Sequence, residues 1–214
     1  MATRVIDDSK LQNIAVAIQN KDSGGQMTVD EMPTRIEQNL QSKAVLDSLI
    51  DGSITSIESD ATGIRGWGLY ELSQLVSAYF PNATIAGDAA FRGCSNIKTI
   101  ILDKARSIGL SAFYNCYSLE NINIRNVERF SQSAFFNCKN LNTIVLEKRA
   151  LLDSINVFQN CPAIIYVKPE DLSWYSTATN WSTLYAQDRI KSIEDLTGDD
   201  LAWYQEQLAR YQAA

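Results

Sequence analysis

The sequence predicts an α+β solenoid of about five stacked 22–23-residue units, with a small helical module before it and a capping segment and C-terminal helix after it. Three observations predict this. First, the chain matches itself. Ala90-Phe91-Arg92-Gly93-Cys94, Ala112-Phe113-Tyr114-Asn115-Cys116, Ala134-Phe135-Phe136-Asn137-Cys138 and Val157-Phe158-Gln159-Asn160-Cys161 follow one pattern, with the Phe positions 22, 22 and 23 residues apart. Second, each copy carries the same tail. Ile97, Leu119, Leu141 and Ile164 stand three residues after the cysteines, and Ile100, Ile122, Ile144 and Val167 stand six after them. Segments such as "TIIL" and "TIVL" in these tails read as short strands. Third, one period upstream of Phe91 and Cys94 stand Leu69 and Leu72, followed by Leu75, which makes a degenerate first unit.

The units divide the chain into residues 1–50, an N-terminal helical docking module; 51–167, the solenoid; and 168–214, a cap and terminal helix. In the first part, Asp7-Asp8-Ser9 suits the start of a helix reaching about Lys21, with Leu11, Ile14, Ala15 and Ile18 on one face. Ser23-Gly24-Gly25 ends it. Thr28-x-x-Glu31 is a capping-box pattern for a second helix, with Met32, Ile36 and Leu40 on its buried face. Two helices this short bury little apolar surface alone and need a surface to pack on. Gly63-Ile64-Arg65-Gly66-Trp67-Gly68 is glycine-rich but lacks the Gly-Lys-Ser/Thr of a phosphate loop, so it reads as an irregular turn at the solenoid's start. After Val167 the repeat stops. Trp174, Tyr175, Trp181 and Tyr185 suit a lid over the last unit, because a solenoid must cover its terminal faces. A final helix from Leu201 to about Gln212 carries Leu201, Tyr204, Leu208 and Tyr211 on one stripe.

Within a unit, Ala-Phe-x-x-Cys reads as a helical turn that puts Phe and Cys on one face. Stacked units then build two buried columns, Phe91-Phe113-Phe135-Phe158 and Cys94-Cys116-Cys138-Cys161. Cysteines stacked in a line do not converge as zinc ligands do. Parallel inward thiols are also poorly aimed for a disulfide. Buried free Cys, acting as small apolar residues, is the favoured reading over either. Asn115, Asn137 and Asn160, each one residue before a Cys, suit turn positions that need a left-handed backbone.

Side chains alternate along a strand. With Ile100, Ile122, Ile144 and Val167 pointing in, a candidate binding face forms on the outside from Tyr79, Thr99, Ile101, Asn121, Asn123, Thr143, Val145, Tyr166 and Lys168. Tyr79, Ile101 and Val145 are apolar where solvent favours polar groups, which fits either a partner-facing strip or plain strand propensity. A second candidate row follows each Phe: Tyr70, Arg92, Tyr114 and Phe136. Aromatic residues and Arg are typical of contact surfaces, and partial burial on the convex side accounts for them equally well.

The composition excludes several functions. The chain has no His, which removes Ser-His-Asp and Cys-His catalysis and His-ligated metals. No pair of carboxylates stands out as an acid–base couple, so no catalytic residue, cofactor or metal ligand is assigned. A net charge of −6 without a basic tract disfavours nucleic acid. No apolar run is long enough to insert in a membrane. No secretory signal is visible either.

At "SIGLSAFYNCYSLENINI" and "GDAAFRGCSNIKTIIL" the chain resembles the BspA-type leucine-rich-repeat family, and "YVKPEDLSWYSTATNWSTLYAQDRIKSI" is similar to that family's usual ending. The resemblance spans about residues 53–193 and implies a leucine-rich-repeat solenoid used for surface attachment and protein binding, without catalytic residues. "LQNIAVAIQNKDSGG" and "MTVDEMPTRI" resemble a helical module of tailed-bacteriophage structural proteins. Together these imply a non-enzymatic virion protein of the tail, baseplate or fibre, assembled in the host bacterial cytoplasm. Its partners would be other virion proteins and a host surface protein or glycan, within a homo-oligomer or multi-subunit assembly. The alternative is a bacterial cell-surface adhesion or scaffold protein.

Overall fold

The computed structural model describes residues 4–5, 55–59 and 61–213. The helices expected between residues 7 and 40 lie outside the described residues. Within the first fifty residues only a two-residue strand is described, β1 (Arg4–Val5).

From Ser56 the chain winds in parallel coils. One side carries β2 (Ser56–Glu58), β3 (Ser77–Tyr79), β5 (Thr99–Ile101), β7 (Asn121–Asn123), β9 (Thr143–Leu146) and β11 (Ile164–Val167). A second side carries the two-residue strands β4 (Ile85–Ala86), β6 (Ser107–Ile108), β8 (Arg129–Phe130) and β10 (Leu151–Leu152). Hydrogen bonding runs β1-β2-β3-β5-β7 and β4-β6-β8-β10, and a third sheet runs β9-β11-β12, with β12 at Ile190–Ser192. Every pairing is parallel. The non-repeat strands β1 and β12 therefore pair with β2 and β11, and donors and acceptors that an open edge would expose are used.

The third side corrects an expectation in part. In the first three units Ala-Phe-x-x-Cys is a chain of tight turns, not a helix, whereas in the last unit Ile155–Phe158 forms a short 3-10 helix. In the second full unit, Ala112 N bonds Gly109 O, Tyr114 N bonds Ser111 O and Cys116 N bonds Phe113 O. The N–H groups between them reach the next coil instead: Ser111 to Gln132, Phe113 to Ala134 and Asn115 to Phe136. Alternating local and inter-coil bonds use every N–H from Ser111 to Cys116, which a helix cannot do while also joining its neighbours. The third residue of each turn closing on a Cys needs positive φ. Gly93 (φ 78°), Asn115 (62°), Asn137 (62°) and Asn160 (56°) occupy those places. The asparagines also bond one another, with Asn137 Nδ2 2.9 Å from Asn115 Oδ1 and Asn160 Nδ2 2.9 Å from Asn137 Oδ1.

The core lies between the three sides. Phe91, Phe113, Phe135 and Phe158 stack with ring centroids 5.3, 5.0 and 5.4 Å apart. The cysteines form the second column, free and buried. Each thiol has an acceptor one coil back. Cys94 donates to Leu69 O (2.9 Å), Cys116 to Phe91 O (3.1 Å) and Cys138 to Phe113 O (3.1 Å). Burial pushes the Cys94 thiol up to about 12 and Cys161 to about 11, and raises Cys116 and Cys138 well above the ordinary range. Thiolate, the reactive form, is suppressed at neutral pH. The native protein at pH 8 should therefore give no reaction with an aromatic disulfide reagent, and four thiols per chain should react once guanidinium unfolds it. Rapid labelling of the native chain would contradict the buried column.

The last coil departs from the period. Cys138 and Cys161 are 23 residues apart, which aligns Ile144 with Val167 in sequence. The structure pairs Ile144 with Ile165, and Thr143 with Ile164. Pro162 follows Cys161 directly and the turn is two residues shorter, so Ala163 fills a buried place before the strand. Tyr166 consequently sits beside Val145 rather than Thr143. Lys168 lies beyond the strand, before the short 3-10 turn Pro169–Asp171.

Two helices, α1 (Leu172–Thr177) and α2 (Trp181–Ala186), then cover the last coil. Tyr175 and Trp181 are fully buried. Their polar atoms serve the backbone that the next coil would have served. Trp181 Nε1 donates to Ala150 O (2.6 Å), Tyr175 Oη donates to Lys148 O (3.1 Å), and Asn180 Nδ2 donates to Leu152 O (2.6 Å). Trp174 is half-buried beneath Arg149, and Tyr185 is exposed. The chain ends in α3 (Gly198–Ala213).

Candidate functional site

The strand face does not stay open. Ser77, Tyr79, Thr99, Asn121, Thr143, Tyr166 and Lys168 are half-buried, whereas Ile101, Asn123 and Val145 are buried to 5%, 3% and 5% exposure. The sequence places those three outside the core, and so does the fold, but the middle of the face is covered. The cover is α3. Thr143 Oγ1 bonds Asp200 Oδ2 at 2.8 Å, Tyr204 Oη bonds Glu147 Oε1 at 3.0 Å, and the charge of Arg210 acts on Asp103. The helix thus runs back over the coils from β9 toward the end of β5.

Beneath it lies a polar column missed in the sequence. Asp103, Arg125 and Glu147 occupy equivalent places in successive coils, 22 residues apart, with alternating charge. Arg125 is buried, and its Nη1 stands 3.6 Å from Glu147 Oε1. Asn123 Nδ2 donates to Asp103 Oδ1. Burial raises the Asp103 carboxyl above its usual range, opposed by Arg125 and the Asn123 bond. The same period carries two exposed inter-coil pairs, Lys98–Glu120 and Arg106–Glu128, and a half-buried one, Arg149–Asp171. Such exposed pairs add little each, at most about 1 kcal/mol. The column differs because Arg125 is buried, so removing its acidic neighbour would leave that charge uncompensated.

The second row is open and built on the rigid turn side. The Arg92 guanidinium lies 4.6 Å over the Tyr114 ring, and Tyr114 stacks on Phe136 at 4.8 Å with planes 4° apart. All three are half-buried, and exposed Gln159 continues the line. Tyr70 packs on Trp67 instead, 4.9 Å away, so the first coil carries its own aromatic pair. The amide column Asn115-Asn137-Asn160 fixes the turns from which the row projects. Lys139 lies over exposed Tyr117 nearby, at 5.5 Å. At the far end, a cleft of about 800 Å³ is lined by Lys139, Gln159, Asn160, Gln187 and Arg189, among others. Arg189 is spent on structure there, donating to Cys161 O (2.7 Å) and Ala163 O (2.9 Å). The arrangement offers shape, aromatic surface and the cations Arg92 and Lys139.

Among the described residues no helix is long and apolar enough to cross a membrane. No group of three or more His, Cys, Asp or Glu is placed to hold a metal there.

No curated protein matches the chain. Among solved structures it is similar to a leucine-rich-repeat protein of T. pallidum, at 22% identity and TM-score 0.49, covering 53% of this chain and 58% of that one. It is also similar to a leucine-rich cell surface protein of Faecalibacterium prausnitzii, at 16% identity and TM-score 0.35, covering 60% of this chain and 55% of that one. The chain thus spans little more than half the length of either. The BspA type leucine-rich-repeat region matches six copies over residues 64–176, more than half of the chain. The stacked Phe and Cys columns, the parallel strands and this match agree: the chain belongs to the BspA-type leucine-rich-repeat family.

Proposed function

We propose that the chain is a non-catalytic protein-binding solenoid and that Arg92, Tyr114 and Phe136 make its primary contact. The observation that carries this is the continuous half-open stack of one cation and two rings on a backbone locked by inter-coil bonds. Arg and Tyr are over-represented among the residues that dominate binding energy, and a preformed stack loses little entropy when it is covered. The partner is a protein segment that brings an acidic group to Arg92 and an apolar side chain to Phe136.

The setting we favour is a bacterial surface adhesion or scaffold protein, which membership of the repeat family supports. The virion reading rests on residues 11–36, outside the described residues, and no comparison supports it.

Photo-cross-linking tests the row. A benzophenone side chain placed at Tyr114 in the producing cell should trap one protein partner, and the same group at exposed Glu128 should trap none. Equal trapping at both positions, or none at Tyr114, would remove the row as the contact.

A further inference from the structure

The C-terminal helix is held in an unusual way. Asp200, Tyr204 and Gln207 lie on one helical stripe, with Arg210 one turn further on. They face Thr143, Glu147 and the Asp103–Arg125 column. Two side-chain hydrogen bonds hold the helix, Asp200 with Thr143 and Tyr204 with Glu147. Among the α3 side chains described, only Gln207 is buried, and its Oε1 has no hydrogen-bond partner. Leu201, Trp203, Tyr204 and Leu208 are half-buried, so none of the apolar α3 side chains described is sunk fully into the solenoid. It is joined to the rest through exposed Gly198, whose backbone is left-handed (φ +59°) and has open space around it. The residue on the other side of that joint, Leu196, is buried and anchored. Among the described residues, by contrast, no backbone hydrogen bond runs between α3 and the coils. Lifting α3 would uncover Ile101, Asn123 and Val145 together with an alternating column of charge.

We propose that α3 is a displaceable strap, and that the strand face beneath it is a masked surface for a partner helix bearing the same acid–hydroxyl–amide–cation stripe. Charge complementarity selects the occupant. An acid is wanted opposite Thr143, a hydroxyl opposite Glu147 and a cation near Asp103, which is the pattern α3 supplies in cis. This surface is independent of the Arg92 row, which lies on another side of the coil.

The four native thiols provide a silent background for the test, being buried and protonated. The full chain carrying Val145→Cys reports opening of the strap through labelling of the introduced thiol. Adding Asp200→Ala and Tyr204→Phe, which loosen the strap and leave the face intact, should speed that labelling at least tenfold while the native thiols stay unlabelled. Gln207→Pro, which breaks the helix itself, should do so more strongly. A fluorescent peptide of residues 198–213 should bind the loosened chain at least tenfold more tightly than wild type. Two results would overturn the strap: an unchanged labelling rate in both variants, or all five thiols reacting together, which would make the opening global unfolding. Faster labelling without any gain in peptide affinity would overturn the helix-binding surface.

Discussion

Phe113→Ala should lower the stability of the solenoid by about 3–5 kcal/mol, the range for removing a large side chain from a close-packed core. Phe113 is fully buried, and its ring sits between Phe91 at 5.3 Å and Phe135 at 5.0 Å. The substitution leaves a hole in the middle of the column and removes both stacking contacts at once. Stability in a solenoid is close to a sum of units and nearest-neighbour interfaces. A central gap should therefore also weaken coupling between the two ends and broaden the unfolding transition. Guanidinium unfolding followed by circular dichroism measures this. Tyr114→Ala, one residue along, is the control. Its stack on Phe136 lies at the surface and should cost only about 0.5–1.5 kcal/mol beyond its smaller burial. Equal losses for the two would contradict the division into an inner and an outer column.

Trp181→Ala should be of similar size, about 3–5 kcal/mol, although Trp181 belongs to no repeat. Its indole packs on Phe158 (6.1 Å), Phe130 (6.3 Å) and Tyr175 (5.0 Å). Its N–H also closes the Ala150 carbonyl. Trp181→Phe separates the two contributions. It keeps most of the apolar contact and leaves the buried carbonyl unpaired, at a cost of about 1–3 kcal/mol. Thermal unfolding of the three proteins side by side reads the difference. Wild-type stability in Trp181→Ala would mean that the last coil needs no cover.

These two residues also show what the sequence made legible. The Phe and Cys columns follow from spacing alone, because a strict period forces equivalent residues to stack. Asn115, Asn137 and Asn160 were readable as turn residues because few side chains accept positive φ, and Asn is one. Trp181 and Tyr175 stood out as large aromatics just where the period ends. Other features had no local signature. Two-residue strands such as Ser107–Ile108 are too short to show alternation. The tight turns of Ala-Phe-x-x-Cys put Phe and Cys on one side as a helix would, so the spacing does not separate the two. The shifted register at Ile164 follows from Pro162 and the shortened turn, and 23-residue counting hides it. The docking of α3 was the largest omission. Tyr204 reads as part of an apolar stripe with Leu201 and Leu208, whereas its inner neighbours Asp200 and Gln207 read as solvent-facing until the column Asp103, Arg125 and Glu147 is set beneath them. The alternating charges at a spacing of 22 were the available clue.

The central proposal is that this solenoid binds a protein through Arg92, Tyr114 and Phe136. The most direct measurement is the affinity of the cross-linked partner for the chain carrying Arg92→Glu and Phe136→Ser, beside wild type. Binding should weaken at least tenfold, with a melting temperature that falls by no more than the loss of one surface stack allows. Unchanged affinity, or a loss matched by the fraction of protein unfolded, would contradict it.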